Sequence, residues 1–237
     1  MHYVNLFTSP DAVETSKKLG WDIVCSVAEY SRGLKKSEAE VLSGALISDS
    51  IRKNSRKALD SGADIIIAEG SGEKGGREAS ECWEVDLIVN LESVRERDRV
   101  NQRSSGLDHV MASYMAERNT GYCINLENIL NTRGVRRAQT LGRIGQNIRL
   151  CRKYGVKTVF GTGRSDRWSA RSPHDLILFA RLLGMGDVEA KRTVTDNPMH
   201  FLRKSEARND PDRMMKGLEV VRWGSGKPKP NRKYGWY

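Results

Sequence analysis

The sequence predicts an α/β fold, a compact (β/α)8 TIM-like barrel with a basic C-terminal extension. Three observations lead there: eight short β-rich runs, helix-like periodicity between most of them, and a length of 237 residues with 38% hydrophobic content, enough for one large barrel core. The runs cover residues 3–7, 22–27, 41–47, 63–68, 85–90, 120–126, 157–160 and 192–195. Strands alternating with helices imply parallel βαβ units, and eight such units close a barrel; an open doubly wound sheet is the rival from the same pattern. Early units of roughly 20 residues leave room for only minimal early helices.

Each later helix has its own signature. Leu107, Val110, Met111, Tyr114 and Met115 stand at i, i+3, i+4, i+7 and i+8, one buried stripe over residues 107–118. Over residues 138–154, Leu141, Ile144, Ile148 and Cys151 form the apolar line, and most basic residues fall off it. Ser172-Pro173-His174-Asp175 reads as a capping box with proline at the first helical position. The helix it opens, residues 173–183, would bury Leu176, Ile177, Phe179, Ala180 and Leu183 and stop at Gly184. Beyond Lys204 the pattern gives way to charge and then to a Pro/Gly/Lys-rich stretch with interspersed aromatics. Residues 1–204 are therefore expected to form the barrel, and 205–237 a flexible basic tail.

The net charge of +10 is concentrated rather than spread. From Asn128 to Ser165 there are nine Lys or Arg and no Asp or Glu; from Arg203 onward there are ten basic residues against four acidic. An ordinary exposed helix mixes signs for i, i+4 pairing, so a run of one sign points to an acidic partner. Cys25, Cys82, Cys123 and Cys151 lie far apart without a C-x-x-C and read as reduced thiols. The N-terminus has no basic n-region or long apolar core, and no apolar run approaches the ~18 residues of a membrane span. The reading is a soluble, cytoplasmic protein with no membrane partner.

A barrel invites an enzymatic reading, with chemistry at the C-terminal ends of the strands. The four histidines form no H-x-H or H-E-x-x-H pattern and do not gather beside acids as a multi-metal phosphoesterase requires. Glu69, Glu92, Glu127, Asp166 and Asp196 stand at or just after strand ends, where carboxylates serve acid–base chemistry or Mg²⁺ binding, or simply cap and pair with arginines. No nucleophile elbow, Walker loop or dinucleotide fingerprint is present. Gly70 to Gly76 reads as a flexible βα loop, with RNA contact through Lys74 or Arg77 as the sharper alternative. The loop G161-T-G-R-S-D-R-W-S-A-R171 has three readings: plain turn chemistry, a phosphate site like those of many barrels, or an RNA backbone contact. Trp168 there is either a packed lid or a surface on which unpaired bases stack.

Six segments taken in order resemble a known family: G106-L-D-H109, I124-N-L-E-N-I-L130, K157-T-V-F-G-T-G163, W168-S-A-R-S-P-H-D-L176, L182-L-G-M185 and V194-T-D-N-P-M199. Together they look like protein component three of archaeal ribonuclease P, whose eukaryotic relative is a barrel subunit of the nuclear enzyme. The resemblance spans residues 1–204 and is strongest from Gly106 onward. It implies a (β/α)8 barrel in a ribonucleoprotein that removes the 5′ leader from precursor tRNA. It also implies that the ribonuclease P RNA performs the hydrolysis with Mg²⁺, while this chain binds no cofactor, pairs with the small protein component two and stabilises the RNA.

Carried over by matched motif, the RNA-contacting residues would be His109, Arg118, Lys153, Arg171 and Lys191, joined by Arg164 and Arg167 of the glycine loop, by Arg77 and, from the segment 92–105 that is longer than the family's pattern, by Arg103. His109 equally suits a helix first-turn residue bonded to a neighbouring loop. No catalytic or metal-binding residue is expected in this chain. A metal-dependent barrel phosphoesterase and a generic structured-RNA scaffold are the alternative functions.

Overall fold

A computed structural model describes residues 2–30, 41–71, 73–93, 97–98, 102–164, 166–210, 212–215, 218–222 and 224. Most of the expected tail from residue 223 onward, and the side chain of Lys74, lie outside the described residues. Among the described residues seven strands form one parallel sheet in strict sequence order: β1 (Val4–Thr8), β2 (Ile23–Glu29), β3 (Leu42–Ile47), β4 (Ile65–Glu69), β5 (Leu87–Val89), β6 (Gly121–Asn125) and β7 (Thr158–Gly161). A doubly wound sheet would reverse strand order at its middle. Here the order never reverses, and the first strand meets the last: Thr8 bridges Gly163 in parallel, and the Gly163 amide donates to the Phe7 carbonyl at 3.0 Å. The sheet closes into a barrel.

Helices wrap it: α1 (Val13–Lys18), α2 (Ile51–Asp60), α3 (Glu73–Ser80), α4 (His109–Glu117), α5 (Leu126–Asn131), α6 (Gly134–Tyr154), α7 (Pro173–Leu182), α8 (Asp187–Arg192) and α9 (Asp196–Asn209). A short antiparallel pair, β8 (Arg213–Met215) and β9 (Leu218–Glu219), follows. The capping box at Ser172 forms, with Ser172 and Asp175 each bonding the other's amide. The glycine-rich segment read as a loop is partly helical, since α3 begins at Glu73.

Alternate side chains divide the core in two. Val4, Leu6, Ile65, Ile67, Leu87, Val89, Cys123 and Val159 point into the barrel, and Ile66, Ala68, Ile88, Tyr122, Ile124 and Phe160 pack outward against the helices. Both faces of each strand are buried, which is why the strands read as continuous apolar runs rather than alternating ones.

Two expectations need correction. Residues 192–195 are not a strand: α8 runs through Arg192, and a turn follows. Thr193 and Thr195 donate their hydroxyls back to the Ala190 and Lys191 carbonyls, at 2.6 and 2.9 Å, a local bond that competes with strand pairing. The turn nevertheless occupies the eighth slot near the strand N-termini, where the Thr193 carbonyl accepts from Phe160 and the Val194 carbonyl from Val4. The second correction concerns the barrel's end. α9 continues across Lys204 to Asn209, with Ser205, Ala207 and Arg208 buried.

α9 closes the end of the barrel formed by the strand N-termini. Phe201 lies so close to Gly121 that a Cβ there would overlap the ring and come within 2.9 Å of Leu87. Beside it, buried Asp86 faces Arg208 at 2.8 Å and Lys204 at 3.1 Å. Burial alone would raise the Asp86 pKa, but the two cations and the Ile66 amide more than offset it and hold the carboxyl below its usual range. Among the described residues no helix is long and apolar enough to cross a membrane.

Candidate functional site

At the C-terminal ends of the strands, where barrels carry their chemistry, polar side chains satisfy one another. Asn5 donates to the hydroxyls of Thr8 and Thr162 at 2.7 and 2.8 Å. Asn125 donates to Asn90, and Asn90 to Glu69, both at 3.0 Å. Glu127 accepts the Arg164 amide at 2.8 Å, and the Arg164 guanidinium lies 3.9 Å from Glu29. Burial raises the Glu69 pKa despite hydrogen bonds from Asn90 and Ser71. Glu92 is fully enclosed, accepts from Tyr122 at 2.8 Å and Asn128 at 2.7 Å, and is likewise raised by burial. Glu69, Glu92 and Glu127 are thus engaged in holding the loops. Asp166 is exposed beside a short 3-10 turn, and Asp196 lies 4.0 Å from Arg192. Among the described residues no three His, Cys, Asp or Glu come together in a way that could hold a metal ion.

The nine residues proposed for RNA contact fall into separate groups. Arg77 lies 3.6 Å from Asp108, the N-cap of α4, and exposed His109 is the next residue, so these form one patch. Arg103 precedes them on the β5–α4 loop; its guanidinium lies directly over Gly142 of α6, and its carbonyl accepts from Gln146 at 3.0 Å. Arg164, Arg167 and Arg171 share the loop between β7 and α7. Arg167 covers the ring of Trp168 at 4.8 Å, and Arg171 donates to the carbonyls of Trp168 and Ala170 at 3.1 and 2.8 Å.

The remaining three stand apart, each at a helix C-terminus. Arg118 caps α4 and is sandwiched 4.9 Å from Trp83 and 5.2 Å from Tyr114. Lys153 lies over Tyr154 in the last turn of α6, and Lys191 is exposed in the last turn of α8 rather than ahead of a strand. A cation there stabilises the helix whatever else it meets.

Across the basic run the structure separates partnered from free charges. Arg143, one of the basic residues off the apolar line of α6, is buried: its Nε bonds Asp98 at 2.8 Å and its Nη1 the Glu92 carbonyl at 3.1 Å. Arg137 donates to the carbonyls of Leu130 and Thr132 at the end of α5, and Arg152 pairs with Glu189 at 2.7 Å. Exposed Arg133, Arg136 and Arg149 have no ion pair among the described residues. Motif matching did not single these out; the signal for them was the unbroken sign of the run.

A small cleft near the strand N-termini adds Lys157 and His200, which motif reading also passed over. Burial first, then Lys157, Lys204 and Arg203, push the His200 pKa down to about 4.

Residues 11–210 match the family model described as RNase P subunit p30. The chain belongs to the RNase P subunit p30 family. Within it, the protein is 28% identical over 190 residues to Ribonuclease P protein component 3 of Methanococcus maripaludis strain C7, covering 73% of this chain and 78% of that one. To the protein of the same name from Methanosarcina acetivorans it is 30% identical over 158 residues, 67% of this chain and 62% of the other. Among solved structures it resembles a chain of the cryo-EM structure of archaeal Ribonuclease P with mature tRNA. The TM-score is 0.75 at 21% identity, over 94% of this chain and 100% of that one, a likeness of fold. The family match ends at residue 210, one residue beyond α9. The RNase P subunit p30 domain therefore includes the helix that closes the barrel.

Proposed function

We propose that this ribonuclease P protein subunit binds and stabilises the catalytic RNA that removes the 5′ leader from precursor tRNA, and leaves the hydrolysis to that RNA. Family membership makes it a component of the holoenzyme. What it does there is carried by one observation: exposed Arg133 at the N-cap of α6, and exposed Arg136 and Arg149 on that helix, have no counter-charge among the described residues. Such cations neutralise phosphates where RNA helices approach, lowering the Mg²⁺ that the folded RNA requires, and backbone contacts fix register without reading sequence. The Mg²⁺ in this reading belongs to the RNA. Arg164, Arg167 and Arg171 on one side, and Arg77, Arg103 and His109 on another, extend the contact; Arg118, Lys153 and Lys191 serve where an RNA helix reaches the helix C-termini.

The small protein component two is the protein partner in this reading, and precursor tRNA is the substrate of the assembly. The cytoplasm is its compartment, in keeping with four free buried cysteines. The test is to recover a tagged copy from its native cell, sequence the RNA that accompanies it and assay precursor-tRNA cleavage. One abundant structured RNA with 5′-leader removal that nuclease abolishes is the expected result. Cleavage that survives nuclease and tracks with bound metal would transfer the chemistry to the strand-end carboxylates.

A further inference from the structure

Trp168 is 78% exposed, whereas Trp21 is buried at 3%. An indole so fully in water is unusual for a side chain with that much apolar area. Nor is it on a loose tip. The 3-10 turn Arg167–Ser169 is closed by the Ser169 amide on the Asp166 carbonyl at 2.8 Å. The next residue, Ala170, is buried, and the Arg171 carbonyl accepts the Trp21 indole N–H at 2.8 Å. Arg171 also donates back to the Trp168 carbonyl, so the turn is tied down on both sides of the exposed ring. Arg167 lies 4.8 Å over the ring, and Arg164 follows β7 in the same loop.

A fixed, solvent-facing aromatic ring among arginines is the arrangement by which proteins hold unpaired nucleotides: cations track the phosphates, and the ring stacks on a base. We propose that Trp168 is a stacking platform for an unpaired nucleobase, with Arg164, Arg167 and Arg171 holding the adjoining phosphates. A duplex keeps its bases stacked inside and offers the ring nothing, so this contact would seat the chain at a single-stranded loop or junction. The inference rests on the RNA-holding function proposed above and adds the kind of RNA that this loop meets. The arginines favour RNA over an apolar protein surface.

The test titrates the full chain with three probes: a twelve-nucleotide oligoadenylate, an abasic ribose-phosphate oligomer of the same length and charge, and a twelve-base-pair RNA duplex. Wild type should prefer the oligoadenylate to the abasic oligomer by roughly tenfold, the range of base–aromatic stacking. Trp168→Ala should erase that preference, Trp168→Phe should retain part of it, and duplex binding should stay unchanged in both; near-UV circular dichroism checks the fold. Equal loss by Trp168→Ala on all three probes would make the ring a support for the loop and overturn the proposal. So would unchanged oligoadenylate binding by Trp168→Ala, which would leave the ring without a base to hold. A wild-type chain that binds duplex but shows no base preference defeats only the stacking, whereas one that binds none of the probes defeats the RNA-holding function itself.

Discussion

Arg143 and Arg149 belong to the same helix and the same run of positive charge, yet the structure gives them opposite tasks. Arg143 is buried against Asp98, and Arg149 is exposed. Removing one partner of a buried pair strands the other charge, so Arg143→Ala should cost about 3–5 kcal/mol, read as a lower urea midpoint. Arg149→Ala should leave that midpoint within about 0.5 kcal/mol. Its effect should appear instead in RNA affinity, with the slope of log K against log salt falling by about 0.9 for each phosphate no longer neutralised. Arg171→Ala should also weaken binding and flatten the slope by about one, but it additionally releases the carbonyls of Trp168 and Ala170. An unchanged slope with the fold intact would make Arg171 purely structural. The sign of the run was legible in the sequence; which arginine is buried was not, because Asp98 reaches α6 from a different loop.

α9 shows what periodicity hides. Its buried face contains Lys204 and Arg208 as well as Phe201 and Leu202, so a count of apolar residues ends the domain too early. Only the fold brings Asp86 beneath those cations. The arrangement also predicts how stability responds to acid. The Asp86 carboxyl titrates near 3.9 when unfolded and lower when folded, so its stabilisation is complete above about pH 4 and is lost as pH falls through the folded value. His200 is held at about 4 against an unfolded value near 6.5. The unfolded chain takes up that proton first, so the histidine's contribution is present above about pH 6.5 and declines toward pH 4. Between pH 8 and pH 4 the urea midpoint of wild type should fall further than that of His200→Gln, against the opposite contribution of the raised Glu69 and Glu92 carboxyls. A fall just as steep in the variant would assign it to other groups. Gly121→Ala, which would push Phe201 out of place, should lower stability by about 1–3 kcal/mol at any of these pH values.

At the scale of the whole molecule, the barrel itself was legible, because doubly buried parallel strands are continuous apolar runs at regular spacing. The eighth stave was not. The segment 192–195 has β-branched residues like a strand, but its threonine hydroxyls turn back onto α8, and a sequence pattern does not distinguish the two uses. The structure instead predicts where the chain can be cut. A protein ending after residue 210 should keep a cooperative thermal transition by circular dichroism, and one ending after residue 195 should lose it, since Asp86 and the barrel end would be uncovered. Loss of the transition in the longer form would mean that the residues beyond α9 are needed for folding.

The seam between β1 and β7 also orders events in time. β1 can pair with β2 early in synthesis, but its other edge has no partner until Gly163 and Val194 have been made. A ribosome adding about 5–20 residues per second leaves that edge bare for on the order of ten seconds. An open parallel edge is a template for strands of other chains. Crowded nascent chains therefore compete with closure of the barrel, and substitutions that weaken the seam should reduce the yield of soluble protein in the cell more than they lower the melting temperature of what is recovered.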